Sequence, residues 1–399
     1  MARGARSMHT AVLVSAVRTP IGSFQGSLSS LKATELGSIA IRGAIDRIGL
    51  GTTEINEVYM GNVVSAGLGQ APARQAALGA GLHNSTPCTL VNKVCASGLK
   101  AVAIGAANIM CGSQETIVAG GFESMSNIPY IFPKVRNGLR YGDAVLQDAI
   151  LLDGLNDAYD NVPMGNFAEL CAKEYGITRE EQDRYATESY QRALASTKEG
   201  RFSREIVSIT LPQKKGDPVV VNSDEEPTRG KLDKFSTLKP AFAKDGTVTA
   251  ANASSLNDGA AAVVLMSEEK AKRLGLKPLA RIRAFADAAH DPRWFTTAPS
   301  LAIPKILKTA GLSSSDVDYY EINEAFSVVS LANMKILNLD PSRVNVNGGA
   351  VALGHPIGCS GARLVATMVN VLEQRDATIG VISICNGGGG AGAMVLERM

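Results

Sequence analysis

The amino-acid sequence predicts an α/β protein that consists of two related halves and a long segment inserted between them. Three observations support this prediction: an internal repeat, helix and strand patterns that alternate within each copy, and an intervening stretch of different amino-acid composition. The chain has 399 residues, which is enough for two or three domains with large buried cores.

The internal repeat has a period of about 262 residues and consists of three pairs of similar segments in the same order. The pairs are 49–55 with 311–317, 95–102 with 358–365, and 116–121 with 378–388. One match of this kind arises easily by chance, but three in nearly the same register indicate a duplicated structural unit. We therefore expect an N-terminal half over residues 9–270, which includes the insertion, and a C-terminal half over residues 276–399.

Each half contains patterns typical of buried strands and amphipathic helices. The apolar run Ala11–Val14 predicts the first strand, and apolar residues at helical spacing predict a helix over residues 36–48. Short β-branched runs at Thr116–Ala119 and Ile379–Ile384 predict buried strands, and Val317–Ile322 predicts another. Both copies therefore read as mixed α/β units.

The insertion, from about residue 122 to residue 248, is rich in proline and carries basic clusters. Within it, Thr178 and Glu181 form the pattern of a capping box and predict a helix over Arg179–Leu194. We interpret the insertion as a loop domain that lies over a site formed by the two halves.

Composition excludes several classes of protein. Forty Lys and Arg against 38 Asp and Glu give a net charge of +2, too balanced to indicate nucleic-acid binding or attachment to a membrane surface. No apolar run reaches the roughly 18 residues of a membrane-spanning helix. The six cysteines include no C-x-x-C pair, which favours free thiols in a reducing compartment. Residues 1–34 carry basic residues, including Arg3 and Arg6, without an acidic one, as the end of a mitochondrial transit peptide would.

Cys95 is the first candidate catalytic residue. It precedes an apolar stretch of small residues, Ala96–Ile104, that predicts a buried helix beginning at or near the cysteine. The free amides and partial positive charge of a helix start lower the pKa of a thiol and make it a nucleophile. The alternative is a small buried thiol without chemistry, which is what most cysteines are.

His355 and Cys385 lie in two further glycine-rich segments. His355 belongs to Gly354–Gly358, a rigid turn that would project the imidazole into a cleft, although a surface or structural role is the alternative. Cys385 begins the segment Cys385–Gly390, whose four consecutive glycines expose backbone amides suited to stabilising an oxyanion. A phosphate cradle or a flexible turn are the alternatives, but the Gly-Lys-Ser/Thr ending of a phosphate loop is missing.

Asn323 follows a predicted strand and can direct a polar side chain across the same face, or act as a helix N-cap. An activated thiol, an imidazole, a second thiol and polar turns together predict acyl transfer through a thioester, to which both halves contribute. A zinc site is the competing interpretation, but the usual ligand spacings do not occur. Its ligands would be Cys95, His355, Cys359 and Cys385.

Five motifs, in order along nearly the whole chain, resemble the thiolase superfamily, most closely its mitochondrial, potassium-responsive acetoacetyl-CoA type. They are Asn92–Gly98, Asn323–Phe326, Asn347–Ala350, Gly354–Gly358 and Cys385–Gly390. The resemblance implies a duplicated thiolase fold with a five-layer αβαβα core, in which the insertion is the CoA-binding loop domain. The internal repeat is what such a fold requires.

The resemblance also implies a ping-pong mechanism. His355 would take the proton of Cys95, and the thiolate would accept the acetyl group of acetyl-CoA. Cys385 would then remove an α-proton from a second acetyl-CoA, and condensation would give acetoacetyl-CoA; thiolysis is the reverse. One oxyanion hole would comprise the amides of Cys95 and Gly387, and the other His355 with a water held by Asn323. Prearranged donors are needed because an α-proton is a very weak acid.

Residues for CoA and for a potassium ion also follow from the resemblance, and no prosthetic group is implied. The CoA residues are Tyr190, Arg229, Gly230, Lys231, Lys234 and Ser254. The basic stretch could instead be a solvated loop. The potassium residues are Tyr190, Ala250, Ala251, Ala253 and Val351, which would offer backbone carbonyls and one phenol to a hard monovalent cation.

Two positions depart from the family pattern. Pro163-Met164-Gly165 stands where the family commonly has His-Met-Gly, and Phe295-Thr296 stands where the mitochondrial type has Phe-Pro. They leave open the acceptance of 2-methyl and longer acyl groups. The alternatives are a degradative 3-ketoacyl-CoA thiolase, a decarboxylating condensing enzyme, which would place His or Asn at Cys385, and a non-catalytic CoA-binding protein.

Assembly and location complete the expectations from the resemblance. It implies a homotetramer, or at least a dimer, with CoA, acetyl-CoA and acetoacetyl-CoA as its ligands. It favours the mitochondrial matrix, with the cytoplasm as the alternative. Neither nucleic acid nor a membrane is expected as a partner.

Overall fold

The computed structural model describes residues 9–399, so Arg3 and Arg6 of the leader-like segment lie outside the described residues. The strands are β1 (Ala11–Arg18), β2 (Gly22–Ser23), β3 (Glu57–Gly61), β4 (Cys88–Val91), β5 (Thr116–Ser124), β6 (Tyr130–Ile131), β7 (Gln147–Asp148), β8 (Ile209–Leu211), β9 (Val219–Val221), β10 (Asn257–Ser267), β11 (Ala280–Ala289), β12 (Tyr319–Ile322), β13 (Ile379–Asn386) and β14 (Gly390–Arg398). The helices are α1 (Ala33–Asp46), α2 (Pro72–Gly79), α3 (Ser97–Met110), α4 (Met164–Tyr175), α5 (Arg179–Lys198), α6 (Glu226–Arg229), α7 (Glu268–Arg273), α8 (Pro299–Ala310), α9 (Ser327–Leu337), α10 (Ala350–Leu353) and α11 (Ile357–Gln374).

The main sheet contains both halves of the chain and is joined in its middle. Its order is β12-β13-β14-β11-β1-β10-β5-β3-β4, and β2 pairs with β10. The halves meet where β1 and β11 pair antiparallel, Val12 opposite Arg281 and Leu13 opposite Ala280. In the second half a single parallel bridge between Tyr320 and Val344 stands where β4 pairs with β3 in the first. The element order therefore repeats, as the sequence predicts.

Helices cover both faces of each half, which gives the layers of the fold. Along β10, Val264 packs with the cluster that contains α1 and α2, whereas its neighbours Val263 and Leu265 pack with the cluster that contains α3 and α11. Helices α8 and α9 cover the outer face of the second half. Helices α3 and α11 pack against each other in the central layer. The structure therefore has the predicted order of five layers, with α3 and α11 in the middle.

The insertion leaves the sheet after β5 and returns at β10, and it contains α4, α5 and α6. Helix α5 begins at Arg179 behind the predicted capping box and extends to Lys198, beyond the predicted end. A buried ion cluster fastens the insertion to the first half, because Arg18 of β1 donates to Glu205 at 2.6 Å and to Asp224 at 2.6 Å. The core thus fixes where the insertion lies over the two halves.

Two local expectations need correction. The segment after Asn323 does not open a helix directly, because α9 begins only at Ser327, so Asn323 is not a helix cap. Cys385 does not follow its strand but is part of β13, which ends at Asn386. No described helix is both long and apolar enough to cross a membrane.

Candidate active site

One cavity of about 210 Å³ is lined by residues from both halves and from the insertion. Cys95 comes from the first half, and His355 and Gly387 come from the second. The rest of the wall is largely apolar and consists of Met125, Leu151, Gly154, Leu155, Pro163, Met164, Gly165, Phe242, Ala253, Ser254, Ser255, Leu256, Phe295, Ala325, Phe326 and Ile357. The predicted meeting of the two halves at one site is what the structure shows.

A tight turn between β4 and α3 presents Cys95. Val94 adopts a left-handed conformation with φ of 48°, which is costly for a β-branched residue and is typical of functional turns. Ser97 holds the turn, since its hydroxyl donates to the Val94 carbonyl at 2.6 Å and accepts from the Lys93 amide at 2.8 Å. Helix α3 begins at Ser97, so the cysteine lies at the helix start, as predicted.

The protonation state of Cys95 differs from the prediction. Burial raises the pKa of the thiol to about 12, although the backbone amides of Gly387 and Cys95 act in the opposite direction. The net direction is therefore contrary to the expected lowering, because loss of water outweighs the helix start. The two amides that face the sulfur are those of the expected oxyanion hole.

The turn that carries His355 is fixed on both sides of the imidazole. Gly354 has φ of 104°, a conformation that favours glycine, and the Asn257 side chain accepts from the His355 amide at 2.8 Å. Ser360 Oγ lies 2.5 Å from His355 Nδ1 and donates its own proton to the Pro356 carbonyl at 2.9 Å. Nδ1 must therefore carry a proton and donate it, which leaves Nε2 as a free base.

The environment keeps His355 neutral. Burial lowers its pKa to about 3, and the positive charge of Arg363 acts in the same direction. With the pKa of Cys95 raised, the pair is a neutral thiol and a neutral imidazole at pH 7. His355 can thus accept a proton only as the thiol attacks.

Asn323 lies beside the free nitrogen of the imidazole. It follows β12, is buried, and its Nδ2 is 3.4 Å from His355 Nε2. Its Oδ1 is buried and has no hydrogen-bond partner among the described residues. A buried acceptor of this kind suits a water or a polar substrate group.

Cys385 lies in an apolar pocket next to the same site. Its neighbours are Met164, Phe167, Phe295, Ala325 and Val329. Burial raises the pKa of its thiol far above the ordinary value, and a nearby charge on Cys95 raises it further. The two sulfurs are therefore close enough to disfavour a double negative charge.

The glycine segment after Cys385 holds its backbone close to other parts of the chain. Gly388 and Gly389 have φ of 82° and 81°, which other residues rarely adopt. The His290 amide donates to the Gly389 carbonyl at 3.0 Å, and a side chain at Gly389 would overlap the His290 carbonyl. Gly387 is thereby presented to the cavity.

The predicted CoA residues fall into two places. Ser254 lines the cavity and donates to the Ala325 carbonyl at 2.9 Å. Tyr190 is buried, its ring 5.2 Å from that of Phe235, and it packs directly against Gly230. The three basic residues lie on the exposed stretch beside it: Arg229, Lys231 and Lys234. None of these last five residues lines the cavity.

Three of the predicted potassium residues, Tyr190, Ala251 and Val351, belong to one buried cluster. Burial raises the pKa of Tyr190 to about 12, so the phenol offers a neutral oxygen. Nearby, the buried carboxylate of Glu324 accepts from the Val351 amide at 3.0 Å and forms no salt bridge in the described chain. The oxygen donors and the neighbouring negative charge fit a monovalent cation.

The structure does not support the alternative interpretation of a zinc site, because one of its four expected ligands, Cys359, lies apart from the others. Cys359 packs between Ala261 and Ala362 in a small buried cluster, away from the cavity. Across residues 9–399, no three His, Cys, Asp or Glu side chains are grouped to hold a metal ion.

Supporting residues around His355 were missed by the sequence reasoning. Ser360 fixes the tautomer, Asn257 holds the backbone, and the buried carboxylate of Glu123 accepts from the Gly358 amide at 3.0 Å. Burial raises the pKa of Glu123 to about 7. The repeat could have identified Ser360, since it is the counterpart of Ser97 and its hydroxyl likewise donates to a backbone carbonyl of the preceding turn.

Comparison with known proteins agrees with this geometry. The family "Thiolase, N-terminal domain" matches residues 11–269, and "Thiolase, C-terminal domain" matches residues 276–398. A cytosolic acetyl-CoA acetyltransferase of Gibberella zeae is 56% identical over 97% of this chain and 98% of its own. A mitochondrial acetyl-CoA acetyltransferase of Bos taurus is 57% identical over 98% and 92%. A thiolase of Ascaris suum, solved in complex with coenzyme A, has a TM-score of 0.93 at 46% identity and covers 98% of this chain and 100% of its own. The chain belongs to the thiolase family.

Proposed function

We propose that this acyltransferase catalyses the reversible condensation of two acetyl-CoA molecules to acetoacetyl-CoA and CoA. The observation that carries the proposal is the arrangement of two thiols and one imidazole: Cys95 and His355 line one apolar cavity, and Cys385 lies in the apolar cluster beside it, close enough for the charge on Cys95 to affect its pKa. Relatives with the name acetyl-CoA acetyltransferase over nearly the whole length support the acetyl group as the unit transferred.

In the first half-reaction, Cys95 attacks the thioester carbon of acetyl-CoA while its proton passes to His355 Nε2. The developing oxyanion accepts hydrogen bonds from the amides of Cys95 and Gly387, which already face the sulfur. The carbon–sulfur bond to CoA then breaks, and the leaving thiolate takes the proton of Cys385, which becomes a thiolate, while His355 keeps the proton of Cys95 on Nε2. The products are acetyl-Cys95 and free CoA.

In the second half-reaction, Cys385 removes an α-proton from a second acetyl-CoA. The enolate oxygen accepts a hydrogen bond from the Nε2–H of His355, which still carries the proton of Cys95, and from a water held at Asn323, whose buried Oδ1 has no protein partner among the described residues. The carbanion attacks acetyl-Cys95 and acetoacetyl-CoA leaves. The expelled Cys95 thiolate takes the proton from His355 Nε2, and Cys385 keeps the α-proton, so both thiols are restored. A decarboxylating condensing enzyme needs no such base, so the second thiol favours this reaction.

CoA is proposed to lie with its thioester end at Ser254 and its phosphates near the exposed basic stretch of Arg229, Lys231 and Lys234. Tyr190 and Gly230 shape the surface beneath that stretch through their direct contact. The relative of Ascaris suum, solved with coenzyme A, supports this class of ligand. No prosthetic group is part of the proposal.

The experiment that tests the substrate is a thiolysis series. The cavity is small and its wall includes the edge-packed rings of Phe242, Phe295 and Phe326. We expect kcat/KM for acetoacetyl-CoA to exceed that for a long-chain 3-ketoacyl-CoA by at least about tenfold. Equal values would favour the degradative 3-ketoacyl-CoA thiolase instead. The 2-methyl derivative in the same series measures how far Thr296, beside Phe295, permits a branched acyl group.

Potassium is proposed to bind at Tyr190, Val351 and the carbonyls of 250–253, where the Glu324 carboxylate supplies a compensating charge. We expect activity or CoA affinity to be higher in KCl than in NaCl of equal strength, by about fivefold. Tyr190→Phe, which removes one oxygen donor, should reduce that difference. Equal activity and equal CoA affinity of the wild type in the two salts would contradict the proposal that potassium binds at this site.

A homotetramer, or at least a dimer, is proposed as the working assembly. Residues 130–152 of the insertion carry large exposed apolar side chains, such as Tyr141 and Val145, which are typical of association surfaces. For location we propose the mitochondrial matrix, with the cytoplasm as the alternative, since relatives of both compartments match equally well.

A further inference from the structure

Lys93 links the two loops that present the backbone donors at Cys95. It lies two residues before the cysteine, and its ammonium group reaches the second half of the chain. There Nζ donates to Asp287 Oδ1 at 2.9 Å, to Asn386 Oδ1 at 3.3 Å and to the Ala391 carbonyl at 3.2 Å. The side chain is partly buried, and no other lysine or arginine donates to Asn386 in the described chain.

Asn386 connects Lys93 to the glycine segment that follows it. Its Nδ2 donates to the Gly387 carbonyl at 2.8 Å, and its amide packs against Gly390. Since Lys93 can only donate, the Oδ1 of Asn386 must face it, and Nδ2 must then face Gly387. Residues 387–390 are all glycine, so Asn386 has the only side chain in the segment 386–390. A side-chain contact that restrains this backbone must therefore be made by Asn386.

Asp287 orients Lys93 from the other side. Burial alone would raise the pKa of Asp287, but hydrogen bonds from Lys100 and Lys93 lower it overall, so the carboxylate stays charged. Lys100 donates to the second oxygen, Oδ2, at 2.6 Å and does not reach Asn386. The two lysines thus share one carboxylate, but only Lys93 touches the glycine segment.

Resting on the proposed function, we propose that Lys93 is a positioning residue that, through Asn386, holds the Gly387 amide in the oxyanion hole opposite Cys95. Loss of Lys93 should impair most strongly the reactions that form an oxyanion, and should slow a reaction of the Cys95 thiolate alone only as far as the Gly387 amide favours that thiolate. Acetylation by acetyl-CoA passes through a tetrahedral oxyanion. Alkylation of the same thiol by iodoacetamide, a direct displacement, does not.

The test compares these two reactions of Cys95 in the full-length protein with Lys93→Met and Lys100→Met. We expect Lys93→Met to acetylate about ten- to a hundredfold more slowly than the wild type, since removing an oxyanion-hole donor costs 10² to 10³ in rate. Its alkylation rate should stay within about twofold. Lys100→Met, which breaks the neighbouring contact to Asp287, should leave both rates near those of the wild type.

Asn386→Asp provides a second test should Lys93→Met fail to fold. Aspartate keeps an acceptor for Lys93 but cannot donate to the Gly387 carbonyl, so acetylation should again slow while alkylation persists. Parallel loss of both rates, no loss of either, or equal loss in Lys93→Met and Lys100→Met would each overturn the proposal. A wild-type protein that acetyl-CoA does not acetylate would instead refute the proposed function, which keeps the two failures distinct.

Discussion

Cys95→Ser is expected to abolish covalent acetylation and to lower kcat for condensation by at least about a thousandfold. A hydroxyl is a much weaker acid than a thiol, and His355 is a weak base because burial lowers its pKa to about 3. Proton transfer from serine to that imidazole is therefore far less favourable than from cysteine. Intact-protein mass spectrometry after incubation with acetyl-CoA measures the loss directly.

Cys111→Ser is the matched control for this prediction, since Cys111 is exposed and lies outside the cavity. It should acquire one acetyl group at the wild-type rate. Acetylation of Cys95→Ser at a comparable rate would place the nucleophile elsewhere. Failure of iodoacetamide to label Cys95 selectively in the wild type would favour a non-catalytic CoA-binding protein.

Cys385→Ala is expected to accept an acetyl group from acetyl-CoA but to form acetoacetyl-CoA about 10²- to 10⁴-fold more slowly. The reason is that Cys385 is buried beside the site, has a strongly raised pKa, and is therefore a strong base once deprotonated. The acetyl-enzyme should accumulate because its consumption is blocked. Rapid-quench assays that follow CoA release and acetoacetyl-CoA formation separate the two steps.

Cys171→Ala is the matched control here, because Cys171 is a buried thiol that affects the pKa of Cys385 but packs in a different apolar cluster, which contains no residue of the proposed mechanism. It should condense acetyl-CoA at close to the wild-type rate. A normal condensation rate in Cys385→Ala would show that another group removes the α-proton.

The fold could be predicted in some detail because duplication of the structural unit is still visible as an internal repeat in the sequence. Residues 95–102 and 358–365 align in the repeat, and the structure places them at the starts of the paired central helices α3 and α11. Helix α5 was predicted from its capping box, since a cap is a local interaction between residues three apart. Local patterns of this kind can be read without knowing the fold.

The state of the site could not be predicted in the same way. The expected lowering of the Cys95 pKa considered only the helix start, whereas burial, which depends on the surrounding residues, has the larger effect. The tautomer of His355 depends on Ser360, and its backbone on Asn257, nearly a hundred residues away in sequence. Such contacts depend on tertiary packing, which spacing along one chain does not specify.

Lys93 illustrates the same limit. Its motif identified the neighbouring cysteine, but its own contacts are to Asp287, Asn386 and Ala391 in the other half of the chain. Only the paired halves bring these groups within reach.

The most direct test is a crystal structure of Cys385→Ala treated with acetyl-CoA. An acetyl group bonded to Cys95 Sγ is predicted, with its carbonyl oxygen accepting from the amides of Cys95 and Gly387 and its carbonyl carbon open toward position 385 and the His355 imidazole. An acetyl group on a different residue, or a carbonyl oxygen turned away from both amides, would contradict the account.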